Sequence, residues 1–231
     1  RAFEPVRNSI CYPHLNVKIG ATHAGISVGE DGATHQCLED ISLMRTIPGM
    51  VVLNPADATE ARAVVEAAIK HDGPVYMRFG RLAVPTIFDK ESFKFEIGKS
   101  QKLRDGKDVT IISTGLLTSA AIDACELLKN DGIDARLVNM ASIKPIDRDA
   151  VISAANDTGC ILTCEEHNVI GGLGSAVAEV VCETKPVPVV RHGIYDVFGK
   201  SGKAVDLLVD FGLTAEVIAQ KAKLAISLKN Q

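Results

Sequence analysis

The sequence predicts an α/β protein of two domains, each built on mainly parallel sheets flanked by helices. Three observations carry that expectation. Segments with strand character alternate with helical ones almost throughout the 231 residues, the rhythm of parallel strands joined by helical crossovers. Several strand candidates are continuous apolar runs bounded by turn residues, as expected where both faces are covered. The rhythm breaks once, over Arg81–Gly106, which holds Pro85, several charges and the alternating pair Phe93/Phe95 but no ten-residue helical pattern. That break marks a connection between domains: residues 1–88 form the first, 89–96 the linker and 97–231 the second.

In chain order, the strand candidates are Asn16–Ile19, Met50–Leu53, Val75–Arg78, Val109–Ser113, Ala135–Asn139, Cys160–Glu165 and Val187–His192. The clearest helices between them are Ala56–His71, Leu116–Asn130, Asp147–Asn156, Leu173–Glu183 and Thr214–Lys229. Asp57 or Thr59 can cap the first of these helices, and Gly73-Pro74 ends it. Asn130-Asp131-Gly132 closes the second, with Gly132 available for a left-handed C-cap.

Composition narrows the function classes. Hydrophobic residues make up 46% and charged residues 23%, the balance of a globular chain. A net charge of −4 leaves no basic surplus for nucleic acid or an anionic membrane. No apolar run reaches the ~18–20 residues of a membrane span and no signal peptide opens the chain, so a soluble, cytoplasmic protein is expected. The six cysteines, at 11, 37, 125, 160, 164 and 182, form no C-x-x-C and no zinc spacing. They read as reduced, largely buried thiols rather than a disulfide framework, and no metal site is expected.

The densest polar cluster is Thr22-His23-Ala24-Gly25-Ile26-Ser27-Val28-Gly29-Glu30-Asp31-Gly32-Ala33-Thr34-His35-Gln36. It begins beyond the end of a strand, the edge of an open α/β sheet where ligands bind. Histidines there can move protons near neutrality. Solvated loop residues and a Thr34 helix cap fit the spacing as well. Arg78 follows the apolar run Pro74–Met77, and a guanidinium at a strand end suits phosphate. Arg81, three residues on, can share that role, and a surface ion pair is the alternative. In the second half, Glu165-Glu166-His167-Asn168-Val169-Ile170-Gly171-Gly172-Leu173-Gly174 joins a buried strand to a helix. Its glycines look like a phosphate cradle, but two carboxylates before the turn would repel an anion, so packing or an interface is the favoured reading.

At this point the motifs carry a resemblance. Gly29-Glu30-Asp31-Gly32-Ala33-Thr34-His35-Gln36, preceded by Thr22-His23-Ala24-Gly25, resembles the substrate loop of transketolases. The match continues in register through Met44-Arg45-Thr46-Ile47-Pro48-Gly49-Met50 and Pro55-Ala56-Asp57. It resumes at Glu165-Glu166-His167, Gly171-Gly172-Leu173-Gly174-Ser175-Ala176-Val177, Phe198-Gly199-Lys200-Ser201-Gly202 and Phe211-Gly212-Leu213-Thr214. The chain is similar to the C-terminal subunit of split transketolases. Deoxyxylulose-phosphate synthases share the second-half motifs and form the alternative, with 2-oxo-acid dehydrogenase β-type subunits or a non-catalytic α/β dimerisation module.

The resemblance implies an incomplete pyrimidine-binding domain followed by a C-terminal transketolase domain that supports assembly. The implied reaction transfers a two-carbon ketol unit from a ketose phosphate to an aldose phosphate, with thiamine diphosphate and Mg2+. By position, His35 would assist proton transfer, Asp31 would bind a sugar hydroxyl, and His23 and Arg78 would hold the substrate phosphate. No cofactor-binding residue is expected in this chain: the family's activating glutamate lies upstream of Arg1, and the diphosphate domain on an N-terminal partner subunit. A homodimer, or assembly with that partner, is implied, and the isolated chain is expected to be inactive.

Overall fold

The computed structural model describes residues 1–231. A short helix α1 (Phe3–Pro5) runs on as π-helical turns over Val6–Cys11 and leads to strand β1 (Lys18–Ala24). Then come α2 (Asp40–Thr46), β2 (Val51–Leu53), α3 (Ala58–Lys70) and β3 (Val75–Gly80). The second half holds β4 (Gln101–Arg104), β5 (Val109–Ser113), α4 (Leu117–Asn130), β6 (Ala135–Asn139), β7 (Ser142–Lys144) and α5 (Arg148–Asp157). It closes with β8 (Ile161–Asn168), α6 (Leu173–Glu183), β9 (Val189–Ile194), α7 (Ala204–Asp210) and α8 (Ala215–Lys229).

Two sheets result. The first has the order β1-β3-β2-β7 and the second β4-β6-β5-β8-β9. Both are parallel except at one edge, where β7 runs antiparallel to β2 and β4 antiparallel to β6. The expected α/β class with mainly parallel sheets is what the chain adopts. The strand period of two separates the cores. Ile111 of β5 faces a core closed by α4 and α8, whereas its neighbour Ile112 faces α5 and α6. In the first sheet Val52 and Tyr76 face α2, while Val51, Leu53, Val75 and Met77 face α3.

Two strands escape the sequence reading, β4 and β7. The second matters more. It lies beyond the linker in sequence yet pairs with β2, Val52 opposite Lys144 and Leu53 opposite Ser142. From β7, Lys144 donates from Nζ to the carbonyls of Arg45 and Ile47 at 2.8 and 2.7 Å, satisfying the exposed end of α2. Residues after the linker therefore complete the first sheet.

Asp57 is the cap of α3 rather than Thr59. One carboxylate oxygen accepts from the Glu60 amide at 2.8 Å, and the other from Ile87 and Phe88 at 2.7 and 2.9 Å. A single buried side chain thus starts a helix and pins the chain just before the linker. Asp57→Ala loses the cap and strands two amides, so it should lower the unfolding free energy by about 2–4 kcal/mol. Urea denaturation measures this; a loss under about 0.5 kcal/mol would mean that solvent replaces the carboxylate.

Candidate active site

Strand β1 carries the polar cluster. The strand runs further than its apolar residues suggest, through Thr22 and His23 to Ala24. Its register against β3 slips between Ala21 and Ala24, and His23 takes φ 61°. Irregularity at a strand end re-aims side chains and gathers at functional sites. Ile26–Asp31 then coil as 3-10 turns. The loop is two-faced: Ile26, Ser27, Val28, Gly32 and Gln36 are buried, while His23, Glu30, Asp31 and His35 are exposed. His23 and His35 each contact the adjacent threonine hydroxyl through Nδ1, at 3.1 and 3.0 Å. Neither ring's Nε2 has a protein partner. Two histidines and two carboxylates are thus presented outward on one anchored loop.

The two arginines stand in different settings. Arg78 is only 3% exposed. Its Nε donates to Asp40 Oδ2 at 2.9 Å, and its Nη2 to the carbonyls of Glu166 and Cys37 at 2.9 and 3.3 Å. This is a buried pin between domains, and its Nη1 keeps no protein partner while the side chain lines the adjoining cleft. The reason lies in β3, which continues through Phe79 to Gly80. Arg78 is therefore inside the strand, on the face it shares with Tyr76. Arg81, just past the strand, is exposed, and its Nη1 donates to Val28 O at 2.6 Å and reaches Glu30 Oε2 at 3.3 Å. The arginine that borders the histidine loop is Arg81.

Beneath the loop lies a buried titratable cluster. Tyr76 donates to Asp40 Oδ2 at 2.7 Å. Burial alone would raise the Asp40 carboxyl, but the Arg78 charge and the hydrogen bonds from Tyr76 and Arg78 hold it below the usual range. Across the seam, Glu166 Oε1 accepts from the Ser27 amide at 2.7 Å, and burial raises its pKa. A Cβ on Gly25 would sit 2.3 Å from that carboxylate, so only glycine lets the loop close over Glu166. Glu165 accepts from the amides of Leu173 and Gly174 at 2.7 and 2.8 Å. The glycine-rich turn is thus packing, as favoured above, and the Glu165 carboxyl itself takes the amides at the start of α6. His167 donates from Nδ1 to Asn168 O at 2.7 Å and accepts at Nε2 from the Ser42 amide at 3.4 Å. Burial and then the Arg78 charge depress its pKa to about 4, so it is the neutral tautomer.

A second seam contact joins Glu60 of α3 to Asn139 of β6, whose Nδ2 donates to Oε1 at 2.7 Å. Burial, opposed by that bond and the Ala56 amide, raises Glu60 to about 7. A cleft of about 320 Å³ opens beside these groups, lined by Asn54, Asp57, Arg78, Phe79, Leu116 and Glu166 among others. Sequence reasoning missed Asp40, Glu60 and Asn139. The only local signal was the spacing of Tyr76 and Arg78, two apart on a strand and so on one face.

Known proteins share this arrangement across the whole chain. Residues 1–86 match the transketolase pyrimidine-binding domain, and residues 98–218 the transketolase C-terminal domain. The chain belongs to the transketolase family. Among solved structures, a split-gene transketolase described as an inactive β4 tetramer superposes with a TM-score of 0.94 and 52% identity, covering 99% of this chain and 73% of that one. A protein of Methanocaldococcus jannaschii, provisionally described as a transketolase C-terminal section, is 49% identical over 96% of this chain and 70% of its own length. A 6-deoxy-6-sulfo-D-fructose transketolase subunit of Clostridium sp. is 43% identical over all of this chain and 71% of its own. Within the family, the chain is the C-terminal part of a split transketolase.

Two predictions follow from the buried groups. Arg78→Met strands Asp40 in the interior and should cost about 3–5 kcal/mol, whereas Arg81→Met should leave stability within about 0.5 kcal/mol; equal losses in thermal unfolding would contradict this ranking. Glu60, raised from 4.5 to about 7, contributes stability that is full below pH 4.5 and lost as pH rises through 7. Glu60→Gln does not titrate, so its stability relative to wild type should rise by about 2 kcal/mol between pH 5 and 8. A pH-independent difference would mean that the carboxyl is already ionised at pH 5.

Proposed function

We propose that this chain supplies the sugar half-site of an enzyme that moves a two-carbon ketol unit from a ketose phosphate to an aldose phosphate. The observation that carries the reading is the loop's two-faced build: it buries its apolar residues and presents His23, Asp31 and His35 outward beside Arg81. His35 contacts the sugar oxygens and moves the proton at the reacting carbonyl. Asp31 accepts from a hydroxyl near that carbon. His23 and Arg78 hold the anionic end of the sugar, Arg78 through the Nη1 that its seam contacts leave free beside the cleft, and Arg81, exposed beside the loop, adds a second guanidinium to that grip. The Clostridium relative's sulfonated sugar has an anionic end of similar shape, which suits the same imidazole and guanidinium donors.

Thiamine diphosphate, when bound, supplies the stabilised carbanion that ketol transfer requires. The residues present do not fit its metal–diphosphate end. No three His, Cys, Asp or Glu side chains converge as a metal site, and the carboxylates of Glu60, Glu165 and Glu166 are taken up by amides. In this reading that end, with Mg2+, belongs to an N-terminal partner subunit, and the chain also pairs with a second copy of itself. The inactive β4 relative suggests the same of this chain without a partner. No helix is long and apolar enough to cross a membrane, and carbohydrate metabolism of the pentose phosphate type, in the cytoplasm, is the setting that suits such substrates.

The test is ketol transfer by the full gene product mixed with a diphosphate-domain partner, thiamine diphosphate and magnesium. His35→Ala should lower kcat about 100-fold or more. Arg81→Met should raise KM for a phosphorylated donor about 10- to 100-fold while sparing its unphosphorylated analogue. Transfer that survives His35→Ala undiminished removes that histidine from the chemistry, and no transfer with any partner favours a non-catalytic module.

A further inference from the structure

The second domain holds the sugar loop in place. Ile26 and Leu38, at the two ends of the loop, are 0% and 1% exposed, and they are buried in the second domain's core with Leu207 and Ile194 rather than in the first domain's own. Between them, Gln36 is 5% exposed. Its Nε2 donates to Ile26 O at 3.1 Å, to Gly29 O at 3.2 Å and to Lys200 O at 3.0 Å. One amide therefore fastens two turns of the loop and ties both to the segment before α7. The segment answers with Ser201, whose hydroxyl donates to Glu30 O, one residue from Asp31. A Cβ on Gly199 would lie 1.8 Å from Gln36 Oε1, so a side chain at 199 cannot coexist with this seat.

We infer that Phe198–Gly202 is a cross-domain clamp in which Gln36 and Ser201 are positioning residues, fixing the backbone that carries Asp31 and His35 for the sugar. The inference rests on the sugar-loop reading above and goes beyond an assembly role for the second domain. Its physical basis is that a half-site on a loop is only as well placed as the groups behind it. The amides of Gly32, His35 and Gln36 bond only to Gly29 and Gly32 of the same loop, so that stretch is held from outside by the clamp and Arg81, with Glu166 at Ser27 and Arg78 at Cys37 fixing its two ends. Ser201 is exposed and touches the loop alone through its hydroxyl, which makes it separable from general stability.

Ser201→Ala, Ser201→Thr, Gln36→Leu and Gly199→Ala would be compared in the full chain assembled with its diphosphate-domain partner. Hydrogen exchange of the Gly32, His35 and Gln36 amides is one readout, and the kinetic constants and thiamine diphosphate Kd the other. Ser201→Ala should speed exchange at those amides and raise KM for the ketose phosphate about fivefold, the scale of one lost hydrogen bond, with the cofactor Kd unchanged. Ser201→Thr should restore both, and Gln36→Leu and Gly199→Ala should exceed Ser201→Ala. Exchange unchanged and KM within twofold in Ser201→Ala overturns the clamp, as does a parallel shift in cofactor Kd. Should Gln36→Leu fail to fold, the Ser201 pair decides. Absence of transfer in wild type would sink the functional reading, while the exchange comparison still judges the clamp.

Discussion

The bond between Arg78 and Asp40 is the interaction on which the rest of the structure depends. Through three contacts, Arg78 joins β3 to α2, to the chain at Cys37 and to β8 at Glu166. Burying such a pair gains little net stability, because desolvation offsets most of the Coulomb attraction. What it secures is uniqueness: an unpaired charge at any of these positions is costly, so misregistered dockings of the two domains are disfavoured. Glu166 then passes the constraint upward, since its carboxylate holds the Ser27 amide at the base of the histidine loop. A charge pair in the seam thereby sets where the exposed histidines stand.

The groups in that seam divide the labour by protonation state. Asp40 is held ionised by Arg78, His167 is held neutral, and burial raises Glu165 to about 7. None of them reaches solvent, so they act on placement and not on substrate. The loop above shows the reverse pattern, with His23 and His35 exposed and joined only to neighbouring threonines. Structure and chemistry are kept on opposite faces of one short segment.

Much of this was legible in the sequence because it is written locally. The buried strands Val109–Ser113 and Ala135–Asn139 and the helix Leu173–Glu183 are continuous apolar or amphipathic runs, and they form where the pattern puts them. The histidine loop was legible from its density of polar residues and glycines. The strand β7 was not, because Ser142-Ile143-Lys144 is three residues long and becomes a strand only through its partner β2. Arg78 was misplaced by a boundary: the apolar run ends at Met77, but the strand continues to Gly80. The carboxylates before the glycine turn pointed to packing, but their partners were not legible, since nothing local reveals that Glu165 folds back onto the start of α6. Asp40 and Asn139 gave no signal, because their partners lie 38 and 79 positions away.

The crossing of β7 into the first sheet also bears on heredity. A reader of the sequence would take residues 89–96 as a seam at which the two domains could be traded between relatives. With β7 completing the first sheet and Ile26 and Leu38 seated in the second core, neither side carries a finished surface of its own. A chimera joined at that linker inherits mismatched strand edges, mismatched cores and a clamp built for another loop. Variation in this chain is therefore expected to travel in matched sets across the seam, so that a change of sugar preference in the first domain brings with it changes in the second.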